Sequence, residues 1–245
     1  MQPEEYLVFD IETVPLPWED FSESQQEYIL RRAETEEEKE QKLREMALSP
    51  MTAKVICIGL QHMLQQGEND WEMKNCKAFA VDESLEADEV KEFTLESGYK
   101  CQLSSEKRML EDFWKILNKY VNASLVSFNG RNFDNPFLML RSALLQIRPS
   151  RNIMQGTKFN YNKHIDLIDE LSFFNTSQYS AARRFNFDFY TRAFGIASPK
   201  SEGIDGSKVA EFFEEGKIAD ISEYCLRDVQ ATWDLFLYWR KYLRF

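Results

Sequence analysis

Apolar residues in this chain come in short blocks, some alternating with polar positions and some continuous, and turn-forming residues separate them. Tyr6 to Thr13, YLVFDIET, reads as a buried β-strand on which Asp10 and Glu12 share one face while Ile11 turns to the other. Lys54 to Leu60, KVICIGL, and Trp71 to Val81 predict a second and a third strand, with Gly67, Glu68, Asn69 and Asp70 as the turn between them. Ser104 or Ser105 is placed to cap a helix whose apolar positions Met109, Phe113, Trp114, Ile116 and Leu117 form one buried face. SLVSFN, ending at Asn129, predicts a fourth strand. Gly130 then turns the chain, and Asp134, Asn135 and Pro136 open a helix, PFLMLRSALLQI. Ile165 to Ile168 supplies a short fifth strand. Helices are expected around Ala182 to Phe194, closed by Gly195, and from Asp220 to the end.

This order predicts an α/β protein with a mixed five-stranded sheet and helices on both faces. The acidic stretch Asp82 to Glu92 reads as a loop leading to a short strand near Phe93 to Leu95. Residues 16–53 interrupt the pattern. They carry Pro17 near the start and Pro50 near the end, and Glu, Gln, Lys and Arg dominate between, so a charged helical insertion follows the first strand. It reads as a solvated flap, with a partner-docking surface as the alternative. The absence of a linker, repeat or low-complexity tract leads us to expect a single domain over residues 1–245.

Composition narrows the chemistry. A hydrophobic share of 43% and an aromatic share of 14% indicate a globular chain, and 245 residues can bury a sizeable core. The net charge of −11 opposes whole-surface attraction to nucleic acid or to an anionic membrane, so a polyanionic substrate would need a local basic groove or bound cations. Cys57, Cys76, Cys101 and Cys225 form no CxxC pair, and only His62 and His164 could join them, which argues against a zinc site or a disulfide framework. With an acidic start and no apolar run of spanning length, the expectation is a reduced, cytoplasmic protein without a membrane partner.

Two carboxylates on one face of an apolar strand repel each other unless a cation sits between them, and a divalent metal is the usual remedy. Asp10 could instead end the strand, with Glu12 solvated. Asp134 lies where a site at the strand ends could use it, although Asp before Asn and Pro is also an ordinary helix cap. Tyr224 and Asp228 are four residues apart on the last helix, so hydroxyl and carboxylate project side by side.

Taken in order, FDIET, NGRNFD and YCLRD closely resemble the three motifs of the DEDD superfamily of 3′ to 5′ exonucleases, which adopt a ribonuclease H-like fold. Tyr224 rather than His in the third motif places the resemblance in the DEDDy branch. The wording is similar to the proofreading domain of family B DNA polymerases and more so to stand-alone predicted PolB-like exonucleases, as are HIDLIDELS and the stretch from Ile204 to Val229. The chain ends at Phe245 without palm or fingers, so the expectation is an editing fold that works detached from a polymerase or in trans.

The resemblance implies that Asp10, Glu12, Asp134 and Asp228 hold two divalent cations, Mg²⁺ or Mn²⁺, which clamp an in-line displacement at phosphorus. It casts Tyr224 as the group orienting the nucleophile, Thr13 as a contact to the terminal nucleotide, and Asn129 and Phe133 as strand contact and wedge; Phe133 could equally be core. No acidic residue lies between Asp134 and Asp166, whereas Arg141, Arg148, Arg151, Lys158 and Lys163 do, alongside Phe159 and Tyr161. We read Arg148 and Arg151 as single-strand contacts on this account, and the second basic and aromatic cluster, Arg183 to Arg192, as core. The expected substrate is the 3′ end of single-stranded DNA. The alternatives are an exoribonuclease with the same site and a non-catalytic nucleic-acid or partner-binding module, and the intact set of acids argues against the latter.

Overall fold

The fold is described from a computed structural model, which covers residues 3–175, 177–198 and 206–244. Seven strands form one sheet: β1 (Glu5–Pro15), β2 (Ala53–Gly67), β3 (Asp70–Val81), β4 (Lys91–Thr94), β5 (Lys100–Ser104), β6 (Ser124–Ser127) and β7 (His164–Asp166), in the order β4-β5-β3-β2-β1-β6-β7. The β1–β2, β2–β3 and β4–β5 pairs are antiparallel, and the β1–β6, β6–β7 and β3–β5 pairs are parallel. The expected five strands are all present, and the sheet is two strands wider than their count. The antiparallel ribbon β4–β5 extends one edge, and KCQLS, Lys100–Ser104, forms a strand because Cys101 points into the core while its neighbours face outward.

The helices are α1 (Glu23–Leu30), α2 (Glu36–Glu45), α3 (Glu106–Lys119), α4 (Asp134–Leu144), α5 (Leu167–Leu171), α6 (Phe187–Ala193), α7 (Val209–Glu214) and α8 (Ile218–Tyr242). Alternation along β1 divides the packing. Tyr6 and Val8 join Trp233 and Phe236 of α8 in one cluster, and Phe9 on the other face lies 5.9 Å from the ring of Phe113 on α3. Ser105 caps α3, accepting from the Arg108 amide.

Several boundaries differ from the expectation for local reasons. The fifth strand stops at Asp166, whose carboxylate accepts from the Ile168 amide and starts α5 instead. The helix expected from Ala182 begins only at Phe187, after the cap Asn186. The insertion holds α1 and α2 flanked by the short 3-10 turns Trp18–Asp20 and Met46–Leu48, and Thr35 and Glu38 form a capping box at α2.

The position of α8 depends on Gly59. A Cβ there would lie 2.9 Å from Val229 Cγ2 and 3.0 Å from Cys225 Sγ, so only glycine lets the helix approach β2 this closely. Gly59 pairs with Asp10 across the β1–β2 ladder, so the same contact brings the helix carrying Tyr224 and Asp228 over the strand carrying Asp10. All four cysteines are free thiols, and Cys57, Cys101 and Cys225 are fully buried. Among the described residues no helix is long and apolar enough to cross a membrane.

Candidate active site

The first motif sits where β1 outruns its parallel neighbour. On β1, only Tyr6, Leu7 and Val8 pair with β6, so the Ile11 amide lies past the last β6 pair and donates to the Asp134 carboxylate. Immediately after Glu12 the β1–β2 register slips, with Glu12 opposite Cys57 and Thr13 opposite Val55, a bulge at the point where the strand leaves the site. The Thr13 hydroxyl donates to the Ala47 carbonyl at 2.8 Å, tying the insertion to the end of the motif.

The second motif is a turn built on Asp166. Its carboxylate accepts from the amides of Asn129 and Arg131, both at 2.8 Å, which fixes Asn129 in the left-handed region at φ 65°. A Cβ on Gly130 would stand 2.2 Å from Ser127 Oγ, so the turn needs glycine there. Below it, His164 bridges Ser127 Oγ at 2.8 Å and Asn135 Nδ2 at 3.0 Å; burial holds its pKa down at about 3, so the ring is neutral. This frame delivers Asp134 into the first turn of α4, where its side chain is 2% exposed and Oδ1 has no hydrogen-bond partner. The third motif lies on α8, where the Tyr224 hydroxyl donates to Asp228.

Asp10, Glu12 and Asp134 are all raised, by burial and by the acids around them. Burial first, then the charges of Asp134, Asp228 and Glu12, push Asp10 well above the usual carboxylate range; burial, then Asp228, Cys57 and Asp134, does the same to Glu12. Burial takes Asp134 to about 7, with Asp166 and Asp228 adding to it against two amide hydrogen bonds. Tyr224 is raised by burial and by Asp228, Glu12 and Asp10, so it remains a phenol. A cavity of about 140 Å³ opens onto this group, lined by Asp10, Tyr224 and Asp228 together with Phe128, Phe187 and Asp188.

Asp10, Glu12 and Cys225 offer ligand atoms all within 4.8 Å of one another. The Cys225 sulfur already accepts from the Gly59 amide at 3.1 Å and donates to the Asp10 carbonyl at 3.6 Å, and burial pushes its pKa up, so it is a protonated structural thiol. The remaining donors are carboxylate oxygens, with one buried oxygen unpartnered. A hard divalent cation suits such a set and would lower the mutual repulsion.

The other expected contacts divide. The Asn129 side chain stays at the turn, its oxygen accepting from Asn132 Nδ2 at 2.9 Å, and Phe133 is half-buried with its ring 5.4 Å from Phe137. Arg148 and Arg151 are not brought to the acids. Arg148 is exposed past the far end of α4, whose 11 residues carry it about 16 Å away. The Arg151 guanidinium donates to the carbonyls of Val121 and Ala123, at the opposite end of β6 from Ser127. Arg141 pairs with Glu106 at 2.6 Å, and Lys163 bonds the Val121 carbonyl, so much of that basic stretch serves structure. The second cluster, read as core, packs against it through Phe187 and Tyr190, and Phe187 also supplies a wall of the cavity. Phe187 lies 4.7 Å from Phe128, and Arg192 pairs with Asp188. The sequence reading did not place Phe128, Phe187 or Asp188 at the site, and an aromatic on the last strand residues before the turn was the one available signal.

A family model described as a predicted 3′-5′ exonuclease related to the exonuclease domain of PolB matches residues 72–243. The chain belongs to this family. The matched stretch includes Asp134, Tyr224 and Asp228; Asp10 and Glu12 precede it. DNA polymerase 1 of Sulfolobus acidocaldarius is 28% identical over 148 residues, 58% of this chain and 16% of the polymerase. The solved family B DNA polymerase of Pyrobaculum calidifontis superposes on 98% of this chain and 24% of its own, with TM-score 0.53 and 17% identity. The PolB-like exonuclease chain thus spans under a quarter of the length of either polymerase, and it shares their ribonuclease H-like fold.

Proposed function

We propose that this PolB-like chain is a metal-dependent 3′ to 5′ exonuclease that removes nucleotides from the 3′ end of single-stranded DNA. The observation that carries the reading is the convergence of carboxylates from three distant motifs, with Asp10, Glu12 and Asp134 raised by burial and by neighbouring acids, and with Asp134 Oδ1 left unpartnered. Asp10, Glu12, Asp134 and Asp228 would hold a pair of Mg²⁺ or Mn²⁺ ions, which supply an acidified water and neutralise charge developing at the phosphate.

The chain's own groups do the rest. Tyr224, a phenol at neutral pH, is unsuited to act as a base; its single O–H donates to Asp228, which fixes its direction, and its oxygen is left to accept from the attacking water and orient it. Phe128 and Phe187 wall the cavity beside Asp10 and offer an apolar seat for the terminal base, whose binding excludes water from the acids. Thr13 holds the insertion against the exit of the first motif. None of these contacts reads a base edge, so little sequence preference is expected.

The test is to offer 5′-labelled single-stranded DNA, duplex DNA and RNA with Mn²⁺ to the wild type and to Asp228→Ala. Stepwise shortening of the DNA strand in the wild type alone supports the reading. Shortening of RNA in preference to DNA replaces the substrate, and identical traces from both proteins remove the nuclease.

A further inference from the structure

The insertion places a second set of strand-binding chemistry near the same end of β1. Its tether is short: Thr13 follows Glu12 directly and bonds Ala47, and the Leu16 amide donates to the Thr52 carbonyl at 2.9 Å. Thr52 in turn borders a hollow of about 390 Å³ at the insertion, lined by Tyr28, Arg31, Arg32, Lys42, Glu45 and Met46. Four residue steps of extended chain lead from Glu12 to Leu16, about 13 Å, the rise of roughly four stacked nucleotides.

The insertion as a whole is acidic, and Glu19, Asp20, Glu23, Glu27, Glu34 and Glu37 have no ion pair among the described residues, but the only acid that lines the hollow is Glu45. Glu38 closes the capping box of α2, Glu36 holds Lys39 at 2.7 Å, Glu40 holds Arg44 at 3.6 Å, and Glu45 holds Lys42 at 2.7 Å. Arg31 and Arg32 have no ion-pair partner among the described residues, so the lining carries two uncompensated positive charges. The Arg31 guanidinium lies 3.8 Å over the ring of Tyr28, and Tyr28 is 61% exposed. An exposed aromatic carrying a guanidinium, beside a second free guanidinium, is the pairing that stacks a base and neutralises its phosphate.

We propose that this hollow binds the substrate strand itself, gripping single-stranded nucleic acid about four nucleotides upstream of the 3′ end held at the acids. The proposal rests on the exonuclease reading. It gives the insertion a function as a second grip that retains long strands and is irrelevant to very short ones.

The experiment compares kcat/KM of the wild type and of the double variant Arg31→Glu, Arg32→Glu on a dinucleotide and on a strand of about 12 nucleotides, with Mn²⁺, across a salt series. On the long strand the variant is expected to lose at least tenfold at low salt. The slope of log kcat/KM against log salt should flatten by about 1.4, or 0.7 for each phosphate contact removed. The loss on the dinucleotide should be at least tenfold smaller, and Tyr28→Ala should show the same length dependence. Unchanged melting temperatures exclude unfolding as the cause. Equal loss on both substrates, or no loss on either, overturns the proposal while leaving the exonuclease in place. A wild type inert on both substrates overturns the exonuclease reading and the grip with it.

Discussion

Changing Asp10 to Asn should make the metal-free protein more stable and blind it to metal, two effects of opposite sign from one substitution. Without a cation, Asp10 and Glu12 have pKa values raised well above the usual range, and Asp134 is raised to about 7. The unfolded carboxyls titrate near 4, so from pH 6.5 to 8 the native state binds protons that the unfolded state does not, and stability must fall as pH rises. Each carboxyl still protonated across that window removes about 2 kcal/mol, at 1.36 kcal/mol per pH unit. His164 does not mask the effect. Its folded pKa is lowered to about 3, so its contribution is lost only as pH falls below its unfolded value near 6.5. At about 2 to 4 °C per kcal/mol for a chain of this size, wild type in EDTA should melt about 4 to 8 °C lower at pH 8 than at pH 6.5. Mn²⁺ at 100 times its Kd adds about 2.7 kcal/mol, a rise of about 5 to 11 °C. Asp10→Asn removes one of the repelling charges and a shared ligand. Scanning calorimetry in EDTA at pH 8 should therefore find the variant melting above wild type, and in Mn²⁺ its rise should be under about 2 °C. A variant that melts below wild type in EDTA yet still gains from Mn²⁺ would refute the reasoning.

Tyr224→Phe removes the hydroxyl that bonds Asp228; turnover on single-stranded DNA should fall by up to about 100-fold while the Mn²⁺-induced melting shift persists, which calorimetry and a gel assay check together. Gly59→Ala forces a methyl to within 2.9 Å of Val229 Cγ2; urea unfolding should show a loss of about 1 to 3 kcal/mol, and a displaced α8 should also shrink the Mn²⁺ shift. Asp166→Asn turns an acceptor into an amide donor facing the amides of Asn129 and Arg131; the denaturation midpoint should report a cost of about 1 to 3 kcal/mol, because one buried donor loses its partner.

The core of the site was legible because its geometry is local. Alternation on a strand puts Asp10 and Glu12 on one side, and a spacing of four on a helix pairs Tyr224 with Asp228, whatever the rest of the fold does. What a spacing cannot reveal is where an element delivers its far end. Arg148 and Arg151 lie close to Asp134 in sequence, but α4 runs away from the acids, and Arg151 ends on the carbonyls of Val121 and Ala123. Phe187 is distant in sequence from every motif and reaches the cavity through its contact with Phe128. Of the β4–β5 ribbon, the short strand near Phe93 was read from the sequence and corresponds to β4, whereas β5 was missed because it is only five residues long, with one exposed and two half-buried positions. Gly59 was read as one more strand residue, since its necessity comes from Val229 and Cys225, more than 160 positions later.

Anomalous diffraction from a Mn²⁺-soaked crystal tests the central claim most directly. Two peaks about 3.5 to 4 Å apart, bounded by the carboxylates of Asp10, Glu12, Asp134 and Asp228 and lost in Asp10→Asn, are the predicted result. A map with no peak among these four side chains, in a protein that nonetheless binds Mn²⁺ elsewhere, would contradict it.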